Sequence, residues 1–290
     1  MDRSAVKQQL LEIKKFIDLK HAEQIKGYQF AGDVCSVSVD GTEHKFRFYP
    51  AGEKLQPAYI DIHGGGMCWG TMEDVDPLAR MMNEQLGIHV LSPDYPLVPN
   101  VEYPEPLEYI YGTVREIVRQ AERFHIDPKR LIIGGRSAGG NLAASMVILS
   151  ADRGEFRFVG QILDHPWLDL SGKIGWETRE GDQSILSETT MKMLALGYAS
   201  PEKQAEMTCT PLNTPPEVLK KLPPTIVQTC ELDPMQQEGV AYAAMLKDAG
   251  VPVMEHCFPG ALHGFSEGLD ELGQSGRQWI IDAVKDMKWI

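Results

Sequence analysis

Apolar residues near the start of the chain recur at helical intervals. Val6, Leu10, Ile13, Phe16 and Ile17 fall on one face, and Gln8, Glu12, Lys15 and Asp18 on the other, which predicts an amphipathic helix. The period then shortens to two. Asp33–Val39 and His44–Tyr49 read as strands joined by Asp40-Gly41, a dipeptide suited to a hairpin. Ala58–Ile62 reads as a short buried strand that runs directly into His63-Gly64-Gly65-Gly66. Beyond it the two periods alternate. Helices are predicted over Pro77–Gln85, Leu107–Phe124, Ala138–Ser150, Met235–Lys247 and Gly268–Lys288. Strands are predicted over His89–Ser92, Leu131–Ile133, Val159–Leu163, Thr225–Thr229 and Val251–Phe258.

Strands separated by helices of 10–15 residues imply crossover units, hence an α/β fold with a mostly parallel sheet, here of eight strands flanked by helices. The opening hairpin implies antiparallel pairing at one edge. From Trp167 to Leu222 the rhythm breaks. Helical pieces are expected around Met191–Ala199 and Pro201–Met207, punctuated by Pro211, Pro215 and Pro216. A stretch that long is rarely structureless in a compact domain, so it reads as an insertion above the sheet. The expected organisation is therefore one catalytic domain. Residues 1–30 supply an N-terminal cap helix, 31–166 and 223–290 the two parts of the core, and 167–222 the insertion.

Composition narrows the setting. With 28 Lys+Arg against 41 Asp+Glu in 290 residues, the net charge of −13 argues against nucleic acid, whose phosphates call for clustered cations. The five cysteines are odd in number, widely spaced and without a CxxC pair, which suits neither a disulfide framework nor zinc. No run of ~18–20 apolar residues could span a bilayer, and Lys14, Lys15 and Asp18 interrupt the N-terminal stretch. The expectation is a cytoplasmic protein without metal, cofactor or membrane partner.

The candidate chemistry centres on Gly135-Arg136-Ser137-Ala138-Gly139, a GxSxG motif between an apolar strand and an Ala/Leu-rich helix. A sharp strand-to-helix turn forces its central residue into strained geometry, and the flanking glycines avoid collision there. Ser137 is thereby raised over a helix N-terminus, which favours developing negative charge. By composition GxSxG arises by chance in roughly one such chain in ten, so its setting matters more than its letters. The rarer His63-Gly64-Gly65-Gly66 follows a buried strand. Its free backbone N–H groups, with that of Ala138, suit an oxyanion trap. A phosphate cradle is excluded because Met67-Cys68-Trp69 follows where a Gly-Lys-Ser/Thr continuation would be needed.

A serine nucleophile needs a base and an orienting carboxylate, expected later in the chain in the order acid, then histidine. His165, His256 and His263 lie after Ser137. His263, in the loop between the last strand and last helix, is favoured over His165 and over His256, which sits within a strand. For the acid, Asp233 between a strand and a helix is favoured over Glu231, and it also suits a helix N-cap.

These residues resemble the hormone-sensitive-lipase-like branch of the α/β-hydrolase fold, the group of bacterial carboxylesterases and arylacetamide-deacetylase-like enzymes. The likeness runs from about Ala58 to Phe265. It includes the HGGG run, the GxSAGG elbow, Asp233-Pro234-Met235, His263-Gly264-Phe265 and Asp94-Tyr95-Pro96-Leu97-Val98-Pro99. Met67, Pro96 and Asn100 depart from the family's usual aromatic, Arg and Glu. The resemblance implies Ser137 as nucleophile with Asp233 and His263, and oxyanion donors from Gly65, Gly66 and Ala138. It further implies a substrate pocket near His63, Gly64, Met67 and Trp69, and a cap formed by the first helix and the insertion. A homodimer through the last strand's exposed edge follows by analogy. The expected activity is hydrolysis of small acyl esters, acetyl to hexanoyl. Two other readings remain: a formamidase or small-amide hydrolase, since Trp69 after the glycines resembles the HGGxW pattern of kynurenine formamidases, and a silent ligand-binding relative.

Overall fold

Residues 2–176 and 186–290 are described by the structure, a computed structural model; the insertion expected over 167–222 lies partly outside them. In chain order the elements are α1 (Arg3–Gln24), β1 (Asp33–Val39), β2 (Thr42–Tyr49), β3 (Gln56–Ile62), α2 (Asp76–Leu86), β4 (His89–Pro93), α3 (Glu105–Arg119) and β5 (Ile126–Arg136). They continue with α4 (Ala138–Arg153), β6 (Gly160–Asp164), α5 (Glu188–Tyr198), α6 (Pro216–Leu219), β7 (Thr225–Cys230), α7 (Gln236–Asp248), β8 (Val253–Phe258) and α8 (Glu271–Asp286).

The strands form one sheet in the order β1-β2-β4-β3-β5-β6-β7-β8. Only β2 runs against the others, pairing antiparallel with β1 on one side and β4 on the other. From β4 through β3 to β8 every pairing is parallel. All carboxyl ends of the parallel strands therefore open onto one rim, with β5, the strand that leads into Ser137, near the middle.

Alternation within the strands divides the core. Tyr59, Val90, Ile132, Ile162 and Ile226 face α2 and α8, meeting Leu78, Met82, Ile280 and Val284. Ala58, Ile60, Leu131, Ile133, Leu163 and Val227 face the other way, towards α3, α4 and α7, where Ile110, Val114, Leu142, Val147 and Leu246 pack. Strands buried on both faces read as near-continuous apolar runs, the pattern that parallel sheets impose.

Several boundaries differ from expectation by two or three residues, and three differences are larger. β5 begins at Ile126, not Leu131, because Ile126 pairs with Gln56 across a register shift that polar Asp127, Lys129 and Arg130 conceal in the sequence. α3 stops at Arg119 because the chain must turn so that Phe124 can pack edge-on against Phe46 and Phe48. Pro201–Met207 is no α-helix; only a 3-10 turn at Lys203–Ala205 forms there.

α1 follows its predicted stripe for half its length. Val6 and Leu10 are buried, Leu10 filling space beside Gly197 on α5, whereas Phe16 is 58% exposed. Arg3 donates to the Leu196 carbonyl at 3.0 Å and, with Lys7, pairs with Glu102. Among the described residues no helix is long and apolar enough to cross a membrane.

Candidate active site

Ser137 occupies the turn between β5 and α4 with φ +53° and ψ −120°, a strained conformation for a residue with a side chain. The turn closes only because Gly139 has none: a side-chain carbon there would run into the carbonyls of Ile62 and His63 on the neighbouring strand end. Backbone bonds clasp the elbow from β6. The Ser137 N–H donates to the Asp164 carbonyl at 3.0 Å, and the Trp167 N–H donates to the Ser137 carbonyl at 3.0 Å.

His263, in the turn after β8, points Nε2 at Ser137 Oγ, 2.9 Å away. Its Nδ1 lies 2.8 Å from Asp233 Oδ2. The other oxygen of Asp233 accepts the Met235 N–H at 2.8 Å, so the carboxylate cannot swing away from the ring. Burial alone would raise the Asp233 carboxyl. The His263 charge and hydrogen bond, with the Met235 N–H, outweigh burial and hold it below the usual carboxylate range. The rejected alternatives lie elsewhere. Glu231 accepts the Gly260 N–H at 2.6 Å, and His256 is exposed on β8, stacked 5.4 Å from Trp279. His165 is near but is not the base: its ring stands perpendicular to His263, 4.6 Å between centroids.

The glycine run turns back against the elbow. A side-chain carbon at Gly64 would lie 3.5 Å from Ser137 Cβ. The Gly65 carbonyl accepts the N–H groups of both Cys68 and Trp69 at 2.9 and 3.0 Å, which fixes the loop. Gly65 adopts φ +102°, where a side chain would strike the Trp69 carbonyl. Among the described residues the N–H groups of Gly65, Gly66 and Ala138 meet no acceptor.

The remaining residues expected at the pocket divide. Gly64 and Trp69 line a cleft of about 580 Å³ together with Ile17, His21, Tyr28 and Phe30. His63 and Met67 do not. His63 lies behind the loop, stacked 4.3 Å from Tyr95, its Nδ1 on the Gly64 carbonyl at 2.8 Å. Burial pushes its pKa down to about 4, against the pull of Asp74 and that carbonyl. It is thus a neutral prop for the loop. Met67, with φ +60°, is fully buried in the main core.

Two features were missed from the sequence. Arg136, the unspecified residue before the serine, forms a buried ion pair with Asp61 at 3.0 Å and donates to the Asp74 carbonyl at 2.9 Å. An Asp inside the apolar strand Ala58–Ile62 was the available signal, because a buried carboxylate needs a partner. The second is the cleft's far wall: His21 near the end of α1 reaches Asp74 Oδ1 at 2.7 Å, joining α1 to the segment behind the glycine loop. Among the described residues no group of three or more His, Cys, Asp or Glu could hold a metal ion.

The chain is similar to known proteins. Residues 59–267 match the family described as alpha/beta hydrolase fold. Carboxylesterase NlhH of Mycobacterium tuberculosis is 31% identical over 235 residues, covering 79% of this chain and 74% of its own. Ethyl acetate hydrolase of Pseudomonas putida is 28% identical over 232 residues, covering 79% and 72%. Among solved structures, EstE1, a thermophilic and thermostable carboxylesterase cloned from a metagenomic library, superimposes with a TM-score of 0.82 at 26% identity, over 99% of this chain and 98% of that one. The chain belongs to the α/β-hydrolase family, in its hormone-sensitive-lipase-like carboxylesterase branch.

Proposed function

We propose that this carboxylic ester hydrolase cleaves short-chain esters, acetyl to hexanoyl, through an acyl-enzyme on Ser137. The observation that carries the reading is the unbroken line from Asp233 through His263 to Ser137 Oγ, with bonds of 2.8 and 2.9 Å, beside unused N–H donors. In that reading Ser137 Oγ attacks the ester carbonyl as His263 Nε2 takes its proton. Asp233 keeps the His263 proton on Nδ1 and balances the imidazolium that forms. The N–H groups of Gly65, Gly66 and Ala138 receive the oxyanion; one such donor is worth ~3–4 kcal/mol in the transition state. His263 then protonates the departing alcohol, and water repeats the sequence on the acyl-enzyme.

The short-chain preference draws support from the glycine loop. Leu194 of α5 packs against Gly66, so that a side-chain carbon on Gly66 would lie 2.8 Å from Leu194 Cδ1. Bulk at that point leaves little depth for a long chain beside the oxyanion donors. The relative named ethyl acetate hydrolase points the same way. In this reading α1 and α5 act as a cap over the site. All five cysteines are free thiols, which suits a reducing cytoplasm.

Rates on p-nitrophenyl esters of rising acyl length test the reading. Activity is expected to peak between acetyl and hexanoyl and to fall for decanoyl and longer. A flat or rising profile would remove the short-chain claim. A fluorophosphonate that fails to label Ser137 would remove the acyl-enzyme. An aryl formamide cleaved faster than the matching acetate would move the assignment to amide hydrolysis.

A further inference from the structure

Behind the proposed base lies a second imidazole–carboxylate pair. Asp164 ends β6, the strand beside β5, and His165 follows it. His165 has φ +37°, a left-handed backbone rare for a residue with a side chain, and its N–H donates to the Gln228 carbonyl at 2.7 Å. That geometry turns the ring inward. It is buried, with Nδ1 2.9 Å from Asp164 Oδ1, and it stands at 86° to the His263 ring, 4.6 Å between centroids. The same Asp164 carboxylate accepts Gln228 Nε2 at 2.7 Å and Ser266 Oγ at 2.5 Å. Ser266 lies three residues beyond His263. One carboxylate thus ties the His165 ring and the His263 loop to the same point.

We propose that His165, held by Asp164, is a positioning residue for the hydrolytic reaction: it braces the His263 ring from the side. The charged groups facing it are Asp164 on its own strand, Glu267 from the turn after His263, Asp233 from the loop before α7, and His263 itself; Arg136 acts on Asp164 from the other side. Burial alone would strip the His165 proton, but the Asp164 charge and hydrogen bond, then Glu267 and Asp233, raise it above its ordinary value. Burial would likewise raise Asp164. The His165 charge and hydrogen bond, with Ser266 and Arg136, bring it down to about 2. The ring contact and the shared Asp164 carboxylate together hold the His263 imidazole in line with Ser137 Oγ.

The inference rests on the ester-hydrolase reading, and its test separates the two. Steady-state kcat and KM on p-nitrophenyl acetate are measured for the wild type, His165→Phe and His165→Asn. Phe keeps a ring against His263, whereas Asn keeps a donor towards Asp164 without the ring. Asn is expected to lose kcat by about tenfold or more with KM little changed, and Phe to lose less. Asn that keeps the wild-type kcat, or Phe that loses as much as Asn, overturns the proposal while leaving ester hydrolysis intact. Should either variant fold poorly, Ser266→Ala cuts the His263 loop from Asp164 with His165 in place. It should lower kcat with KM held, and an unchanged kcat also overturns the proposal.

Discussion

Ser137, Asp233 and His263 sit on backbone clasped from several sides, whereas α1, which walls a neighbouring cleft, meets the rest of the molecule through two buried residues, hydrogen bonds to Leu196 and Asp74, and ion pairs to Glu102. At the rim the Ser137 peptide is bonded to Asp164 and Trp167, Asp233 to Met235, and the His263 loop through Ser266 to Asp164. Along α1 only Val6 and Leu10 are buried, and the pairs to Glu102 are about a third exposed, where such contacts contribute ~0–1 kcal/mol. In the proposed reading the contrast separates two jobs. Chemistry calls for atoms fixed to within about 0.5 Å, which the sheet rim would supply. Admitting a substrate calls for a wall that can shift at small cost, which a lightly anchored helix would supply.

Substitutions can break this contrast, and the largest effect is expected at the rim. Ser137→Ala should lower kcat on p-nitrophenyl acetate by about 10⁴–10⁶-fold, read by initial rates, with Tm nearly unchanged. An equal loss of Tm would mean that the hydroxyl serves the fold instead. Asp233→Asn should follow at about 10⁴-fold, because an amide cannot hold the His263 tautomer. Leu10→Ala tests the other region. It should cost about 2–5 kcal/mol by removing one of only two buried anchors, yet leave kcat within a few-fold. Calorimetry beside steady-state rates would show the separation, and a collapse of kcat would show that α1 belongs to the rigid site.

pH gives a smaller and two-sided effect. Asp233 and Asp164 titrate below the usual carboxylate range when folded, so their contribution to stability is present above about pH 4 and lost as pH falls through the folded values, towards about 2 for Asp164. His165 has the opposite sign: its contribution is present below about pH 6.5 and lost as pH rises through its raised folded value. Tm plotted against pH should therefore decline on both sides, and sooner on the acid side, because neutral His63, held down to about 4, loses its contribution as pH falls below about 6.5. A curve still rising below pH 3 would contradict the carboxylate assignment. The smallest expected change is His21→Ala, which removes the α1–Asp74 contact at the cleft. KM should rise a few-fold while kcat holds, and an unchanged KM would detach α1 from substrate binding.

The same contrast explains what could be read in advance. The glycine run and the elbow were legible because each depends on local backbone needs, whereas the order of acid and histidine was legible from the chain order of such hydrolases. Gly139 must lack a side chain wherever a strand turns sharply into a helix beside another strand end. The ranking of Asp233 over Glu231 and His263 over His256 also rested on place within a strand–loop–helix unit, and the geometry puts both preferred residues in line. Met67 and His63 were assigned to the pocket because they adjoin the glycines in sequence. Their positions depend on a positive φ at Met67 and on stacking against Tyr95, which no local pattern encodes. The early start of β5 and the early end of α3 escaped for a related reason, since each is set by a partner distant in the chain, Gln56 in one case and Phe46 with Phe48 in the other.

By itself the sequence determined the alternation of strands and helices, and therefore the parallel sheet, its single active rim and the identity of the turn that raises Ser137. Periodicity and glycine placement act within a few residues and need no knowledge of neighbours. Only the tertiary structure decided which charges meet. The pairing of Arg136 with Asp61, the reach of His21 to Asp74 and the perpendicular approach of His165 to His263 join residues 75, 53 and 98 positions apart. Such contacts depend on how strands far apart in the chain are ordered in the sheet, and burial then turns that ordering into electrostatics by removing the water that would otherwise screen each charge.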